Sequence, residues 1–134
     1  MRFMMLIKAN EDFEAGIPPC PELIVAMGTL AEEMTERGIL VSAEGMKPSS
    51  HGTRVRQTNG QRSVIDGPFT ETKELIGGFS IVDVASKQEA IELAQRVVRI
   101  HAECGVDELE IEVRPLFEHG ECAQLAPVVA AAVA

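Results

Sequence analysis

The sequence predicts a mixed α+β domain, and three observations carry that expectation. Apolar or alternating runs of strand length recur along the chain, two longer stretches place apolar residues at helical spacing, and the order is β-α-β-β-α-β once an inserted hairpin is set aside.

The first strand is Phe3-Met4-Met5-Leu6-Ile7, an unbroken apolar run ended by Lys8 and Asn10, as expected of a strand covered on both faces. A loop punctuated by Gly16, Pro18, Pro19 and Pro21 follows. Leu23, Met27, Leu30 and Met34 then mark one face of a helix over about residues 22 to 37, stopped by Gly38. Ile39 to Ala43 reads as the second strand, and Gly45, Pro48, Ser49, Ser50 and Gly52 make the loop after it. Arg54 to Thr58 and Gln61 to Ile65 flank Asn59-Gly60, the dipeptide best suited to a two-residue hairpin turn. Gly78 to Val84 is the next strand. Ser86-Lys87-Gln88-Glu89 fits a capping box, opening a helix striped by Ala90, Ala94, Val97, Val98 and His101 and ended at Gly105. In the last strand Leu109, Ile111 and Val113 alternate with Glu110, Glu112 and Arg114, so one face is buried and the other polar.

This order is the split βαβ, or ferredoxin-like, arrangement, with both helices on one face of an antiparallel sheet. Two helices leave the second face open, and the apolar residues on both parities of the first strand require a cover. A second copy of the chain, packed sheet to sheet around a small cavity, is the economical answer. The domain is expected over residues 1–118, with an Ala/Val-rich tail over 119–134.

Charge bounds the partners: 21 acidic against 12 basic residues give a net −9, which repels a phosphate backbone, so direct nucleic-acid binding is not expected. The apolar runs Phe3–Ile7 and Val128–Ala134 are too short for a signal-peptide core or a membrane span. Cys20, Cys104 and Cys122 form no CxxC pair, so neither a disulfide framework nor a zinc site is signalled, and a cytoplasmic protein without metal or cofactor is expected.

The segment with possible chemistry is Asp66-Gly67-Pro68-Phe69-Thr70-Glu71-Thr72-Lys73-Glu74, followed by Gly77-Gly78-Phe79. It closely resembles the hallmark of the YCII-related proteins, specifically the branch named after its DGPF motif. The resemblance extends to the opening RFMMLIK, to Gly45-Met46-Lys47-Pro48, to the helix AIELAQRVV and to Glu112-Val113-Arg114-Pro115. It implies a dimeric α/β barrel. It implies little about activity: members are mostly uncharacterised, some related domains are joined to sigma-type transcription factors, and an enzymatic role is associated with a His and an Asp. Asp66 matches that aspartate, whereas residues 22 to 37, where the histidine should lie, contain none.

Each candidate residue has a functional and a plain structural reading. A carboxylate such as Asp66 at a Gly-Pro bend is suited to accept backbone N–H bonds, and in a cavity mouth it would act instead as a general acid or base. Glu71, Lys73 and Glu74 belong to one helical turn, either a solvated face with local ion pairs or a place where Lys73 meets Asp66 or an anionic ligand. Arg54 and Arg56 alternate on one face of the hairpin with Arg62 on the facing strand, suited to a carboxylate or phosphate, or to acids of a neighbouring subunit. His51 lies in a Ser/Gly loop and belongs to the tentative ligand set. His101 with Cys104, and His119 with Cys122, are two-ligand pairs that make no metal site.

Two functions from different classes are expected. The first is a small-molecule-binding or regulatory module working as a homodimer on a small anionic ligand. The alternative is a cofactor-free enzyme using Asp66 for proton transfer on a small organic acid, a reaction class supported by fold analogy.

Overall fold

The computed structural model describes residues 1–118, 120 and 121. His119, Cys122 and the Ala/Val-rich stretch Val128 to Ala134 lie outside the described residues, so the tail reading stays an expectation. The elements are β1 (Arg2–Lys8), α1 (Glu11–Glu14), α2 (Pro21–Glu36), β2 (Leu40–Gly45), β3 (Thr53–Thr58), β4 (Gln61–Asp66), β5 (Ile76–Asp83), α3 (Lys87–Glu103) and β6 (Ile111–Pro115). Single 3₁₀ turns cover Ser49–His51 and Thr72–Glu74.

The main sheet has the order β2-β5-β1-β6 with every neighbouring pair antiparallel, while β3 and β4 pair only with each other. The mixed α+β class and the antiparallel sheet agree with the sequence expectation. Among the described residues neither sheet closes on itself, so one copy of the chain is an open-faced sandwich and not a barrel.

Period-two alternation decides which side of the sheet is dry. Phe3 and Met5 on β1, with Val82 on β5, turn toward α2 and α3 and join Leu30, Met34, Leu93, Ala94 and Val97 in one core. Phe3 and Val82 are direct partners across the two central strands and are the largest fully buried side chains. Burying each contributes roughly 1.5–3 kcal/mol. Met4, Leu6, Phe79 and Ile81 occupy the opposite register, Met4 facing Ile81 and Leu6 facing Phe79, and remain half-buried. Glu44 of β2 and Glu112 of β6 continue this face toward its two edges, opposite Phe79 and Leu6. The first strand is thus fully dry on one parity only, so its unbroken apolar run is covered on one face within a single chain.

Several boundaries moved. Helix α2 begins at Pro21, a residue suited to a first helical turn, and ends with Arg37 as its C-cap, one residue earlier at each end than expected. Strand β2 starts at Leu40 because Ile39 is spent on the helix exit, its N–H donating to the Met34 carbonyl at 2.9 Å. The helix α1 was not foreseen. Its N-cap Asn10 accepts the Phe13 N–H at 2.8 Å, and four residues are too few to show a period.

Candidate functional site

The loops at one end of the main sheet enclose an open cleft of about 390 Å³. Its wall is built by an interlocked set of hydrogen bonds. Glu14, carried by α1, accepts the Ser49 N–H at 3.0 Å and the Ser49 hydroxyl on its other oxygen. The same hydroxyl oxygen accepts the Phe69 N–H at 2.9 Å, so one serine ties α1 to the DGPF segment. Gly67 donates its N–H to the Gly52 carbonyl at 2.9 Å, and the Gly67–Pro68 peptide is cis. Only glycine fits at position 67, because a Cβ there would lie 1.8 Å from the Ser49 carbonyl oxygen.

Basic and apolar side chains share the cleft. Lys47, His51 and Arg54 line it, together with Met46, Pro48, Phe69, Leu75 and Ile76. The Arg54 guanidinium carbon lies over the Phe69 ring, 3.8 Å from its centroid, a cation–π contact. Glu14 is the single carboxylate of the lining, and its oxygens are engaged by Ser49. Hydrogen bonds place the floor: Met46 N–H reaches the Gly77 carbonyl at 2.9 Å and Ala9 N–H the Leu75 carbonyl at 2.8 Å. A positive rim over an apolar floor is what a small organic anion needs, with charge for its carboxylate and hydrocarbon for its body.

The residues singled out by sequence are distributed unevenly around this cleft. His51 and Arg54 line it; Asp66, Glu71, Lys73 and Arg56 do not. Asp66 is exposed at the end of β4, where its Oδ1 accepts the Thr53 hydroxyl at 3.0 Å across the hairpin. That side-chain donor takes the place of the backbone amides expected at the Gly-Pro bend; those amides are instead satisfied by Gly52 and Ser49. Lys73 makes no ion pair with Asp66 among the described residues. Glu71 and Glu74 face one another instead of Lys73, and a hydrogen bond that the protonated Glu74 carboxyl donates to Glu71, reinforced by the Glu71 charge, pushes the Glu74 pKa above the ordinary carboxylate value. Arg62 turns to the hairpin face opposite Arg54 and Arg56, where its Nε reaches Gln57 Oε1 at 3.5 Å, so the three arginines are not one cluster. His101 is bound through Nδ1 to the Val97 carbonyl at 2.8 Å, and Cys104 lies beside Cys20 instead of sharing a metal with it.

Four contributors escaped the sequence reading: Glu14, Ser49, Lys47 and Phe69. Glu14 and Ser49 meet across 35 residues, a separation no local pattern reports. Phe69 stood inside the motif, and its pairing with an arginine on an adjoining strand was the available signal.

The model of the YCII-related domain matches residues 1–114, which take in the sheet except the last residue of β6, both long helices and the cleft. The chain belongs to the YCII-related domain family. An uncharacterized protein of Rhizobium meliloti (strain 1021) is 32% identical to it over 97 residues, covering 71% of this chain and 75% of that protein. Within this YCII-related domain, the elements that form the cleft wall all leave the same end of the sheet, and the motif at residues 66–69 is tied to that wall through Gly67 and Phe69. No helix among the described residues is long and apolar enough to cross a membrane.

Proposed function

We propose that this YCII-related chain is a small-molecule-binding or regulatory module whose cleft takes a small organic anion, acting as a homodimer. The observation that carries the reading is Arg54, stacked on Phe69 and lining a cleft with Lys47 and His51 whose single carboxylate is already hydrogen-bonded. A carboxylate ligand would pair bidentately with the guanidinium edge and lay its apolar part against Met46, Leu75 and Ile76. The strand order is that of a ferredoxin-like sheet, and its open face of Met4, Leu6, Phe79 and Ile81 supports a second copy packed sheet to sheet, as in a dimeric α/β barrel.

Isothermal titration with benzoate as a probe tests the ligand class. Binding to the wild type and a loss of at least about tenfold in Arg54→Ala are expected, since a charge-assisted bidentate pair contributes roughly 1.5–3 kcal/mol. Equal affinity in both proteins would refute the role of Arg54, and no binding to benzoate or to other small carboxylates would refute the ligand class.

A second reading keeps Asp66 as general acid or base of a cofactor-free enzyme acting on a small organic acid. It is supported by the position of Asp66 next to Gly67, which is bonded to Gly52 of the cleft wall. Asp66→Asn would then lower turnover by roughly 10² or more at unchanged affinity.

A further inference from the structure

Two cysteines meet at one end of the helix layer. Cys20 immediately precedes α2 and Cys104 immediately follows α3, and both are half-buried free thiols. They stand 84 residues apart in sequence, yet the Cys20 Sγ lies 3.9 Å from the Cys104 carbonyl oxygen, and the two side chains are within hydrogen-bond reach of one another. Cys20 holds the N-cap position of α2, where Ser, Thr, Asp or Asn would bond a helix amide. Its side chain makes no such bond, and the sulfur turns across to the end of α3 instead.

The rest of the helix pair shows what is missing at this end. Glu33 of α2 pairs with Arg96 of α3, and further along Arg37 pairs with Glu89, so the two helices run in opposite directions side by side. Among the described residues no ion pair joins them at the cysteine end. The chain reaches Cys20 through Pro18 and Pro19 and leaves Cys104 through Gly105 at φ 86°, which puts both sulfurs on connections at helix ends, outside the packed middle of the core. Partial burial, then the neighbouring Cys20, hold the Cys104 pKa above the ordinary thiol value, and Glu22 and Glu103 add to the effect. Cys104 therefore remains a thiol at neutral pH and is the second of the two to react.

We propose that Cys20 and Cys104 are a reversible oxidation site, at which a hydroperoxide forms a disulfide that bolts the start of α2 to the end of α3. The Cys20 sulfur attacks the terminal peroxide oxygen, the O–O bond breaks, and Cys20 becomes a sulfenic acid while water or an alcohol departs with the thiol proton. The Cys104 sulfur then attacks the sulfenic sulfur. The S–S bond forms, the S–O bond breaks, and the oxygen leaves as water with the Cys104 proton. Two electrons pass from the sulfurs to the peroxide, and a dithiol returns them by exchange. A bridge between residues 84 apart constrains the unfolded chain over most of its length, so the oxidised form is the more stable one. Neither cysteine lines the cleft, and the site stands whether or not the cleft binds an anion.

Thiol mapping on the full chain tests it. The wild type and Cys122→Ser are reduced, treated with a small excess of hydrogen peroxide, alkylated under denaturing conditions and digested for mass spectrometry. Both are expected to yield one peptide pair joined through Cys20 and Cys104 within a single chain, lighter by two hydrogen atoms than the reduced pair and separated by dithiothreitol. The oxidised protein is expected to unfold at least about 5 °C above the reduced one. Cys20→Ser and Cys104→Ser should each lose the joined peptides and the temperature shift together; if either fails to fold, the mapping of the wild type decides. Cys20 and Cys104 still open to alkylation after peroxide, sulfinic acid at either without the joined peptides, or a bridge to Cys122 or to a second chain in their place would each overturn the site. A Cys20–Cys104 disulfide that leaves the unfolding temperature unchanged would overturn the bolt.

Discussion

Gly67 shows how a single residue inside the motif is constrained. Its missing side chain lets the DGPF segment close on the Ser49 carbonyl, and Gly67→Ala would place its Cβ 1.8 Å from that carbonyl oxygen unless the backbone shifts. A cost of about 1–3 kcal/mol is expected, read as a lower urea midpoint, with the cleft wall displaced. Asp66 next to it is a different case. With a hydroxyl donor and an exposed position, Asp66→Ala should cost no more than about 1 kcal/mol and Asp66→Asn less, since the amide oxygen still accepts from Thr53. A large loss of stability in Asp66→Asn would contradict this geometry. The sequence made His51 and Arg54 visible as candidates because a histidine in a loop and alternating arginines on a strand are local facts. It hid Glu14 and Ser49 because their bond depends on how two distant loops meet, and it misassigned the partner of Asp66 because Thr53 becomes adjacent only through the hairpin register.

At the level of elements, agreement was good wherever the signal was periodic or stereochemically forced. The Asn59-Gly60 hairpin appeared as expected because its φ angles exclude most other residues. Helix α3 begins at the expected cap: Ser86 accepts the Glu89 N–H at 3.2 Å, while Glu89 Oε2 accepts the N–H of Ala85, one residue before the cap, at 3.0 Å. Ser86→Ala is expected to cost about 1 kcal/mol, and thermal unfolding checks it. The four-residue α1 was illegible for the complementary reason, since it is held by a single Asn10 cap and by tertiary bonds through Glu14. Strand β1 carries an unbroken apolar run that implied cover on both faces, and one chain supplies it on one.

For the whole molecule, ion pairs couple stability to pH. Glu33 beside Arg96 and Glu118 beside Arg2 are both held below the ordinary carboxylate value, chiefly by hydrogen bonds from those arginines. A depressed folded-state pKa contributes stability that is present above the unfolded value of 4.5 and disappears as pH falls through the folded value. Urea midpoints are therefore expected to decline below about pH 4, less steeply in Arg96→Met. The sequence conveyed the mixed α+β class and its antiparallel sheet, read from alternation and helical spacing; it left open how the acidic body and the basic hairpin divide the surface, because that depends on where the loops lie.

The central claim is that a small organic anion occupies the cleft lined by Lys47, His51 and Arg54. An amide ¹H–¹⁵N titration of the wild-type protein with benzoate tests it directly, since Ser49, Gly52, Gly67 and Phe69 all place backbone N–H groups in the cleft wall. The largest, saturable shifts are expected at those four amides, and they should vanish in Arg54→Ala. Shifts centred elsewhere, or none up to saturating probe, would contradict the account.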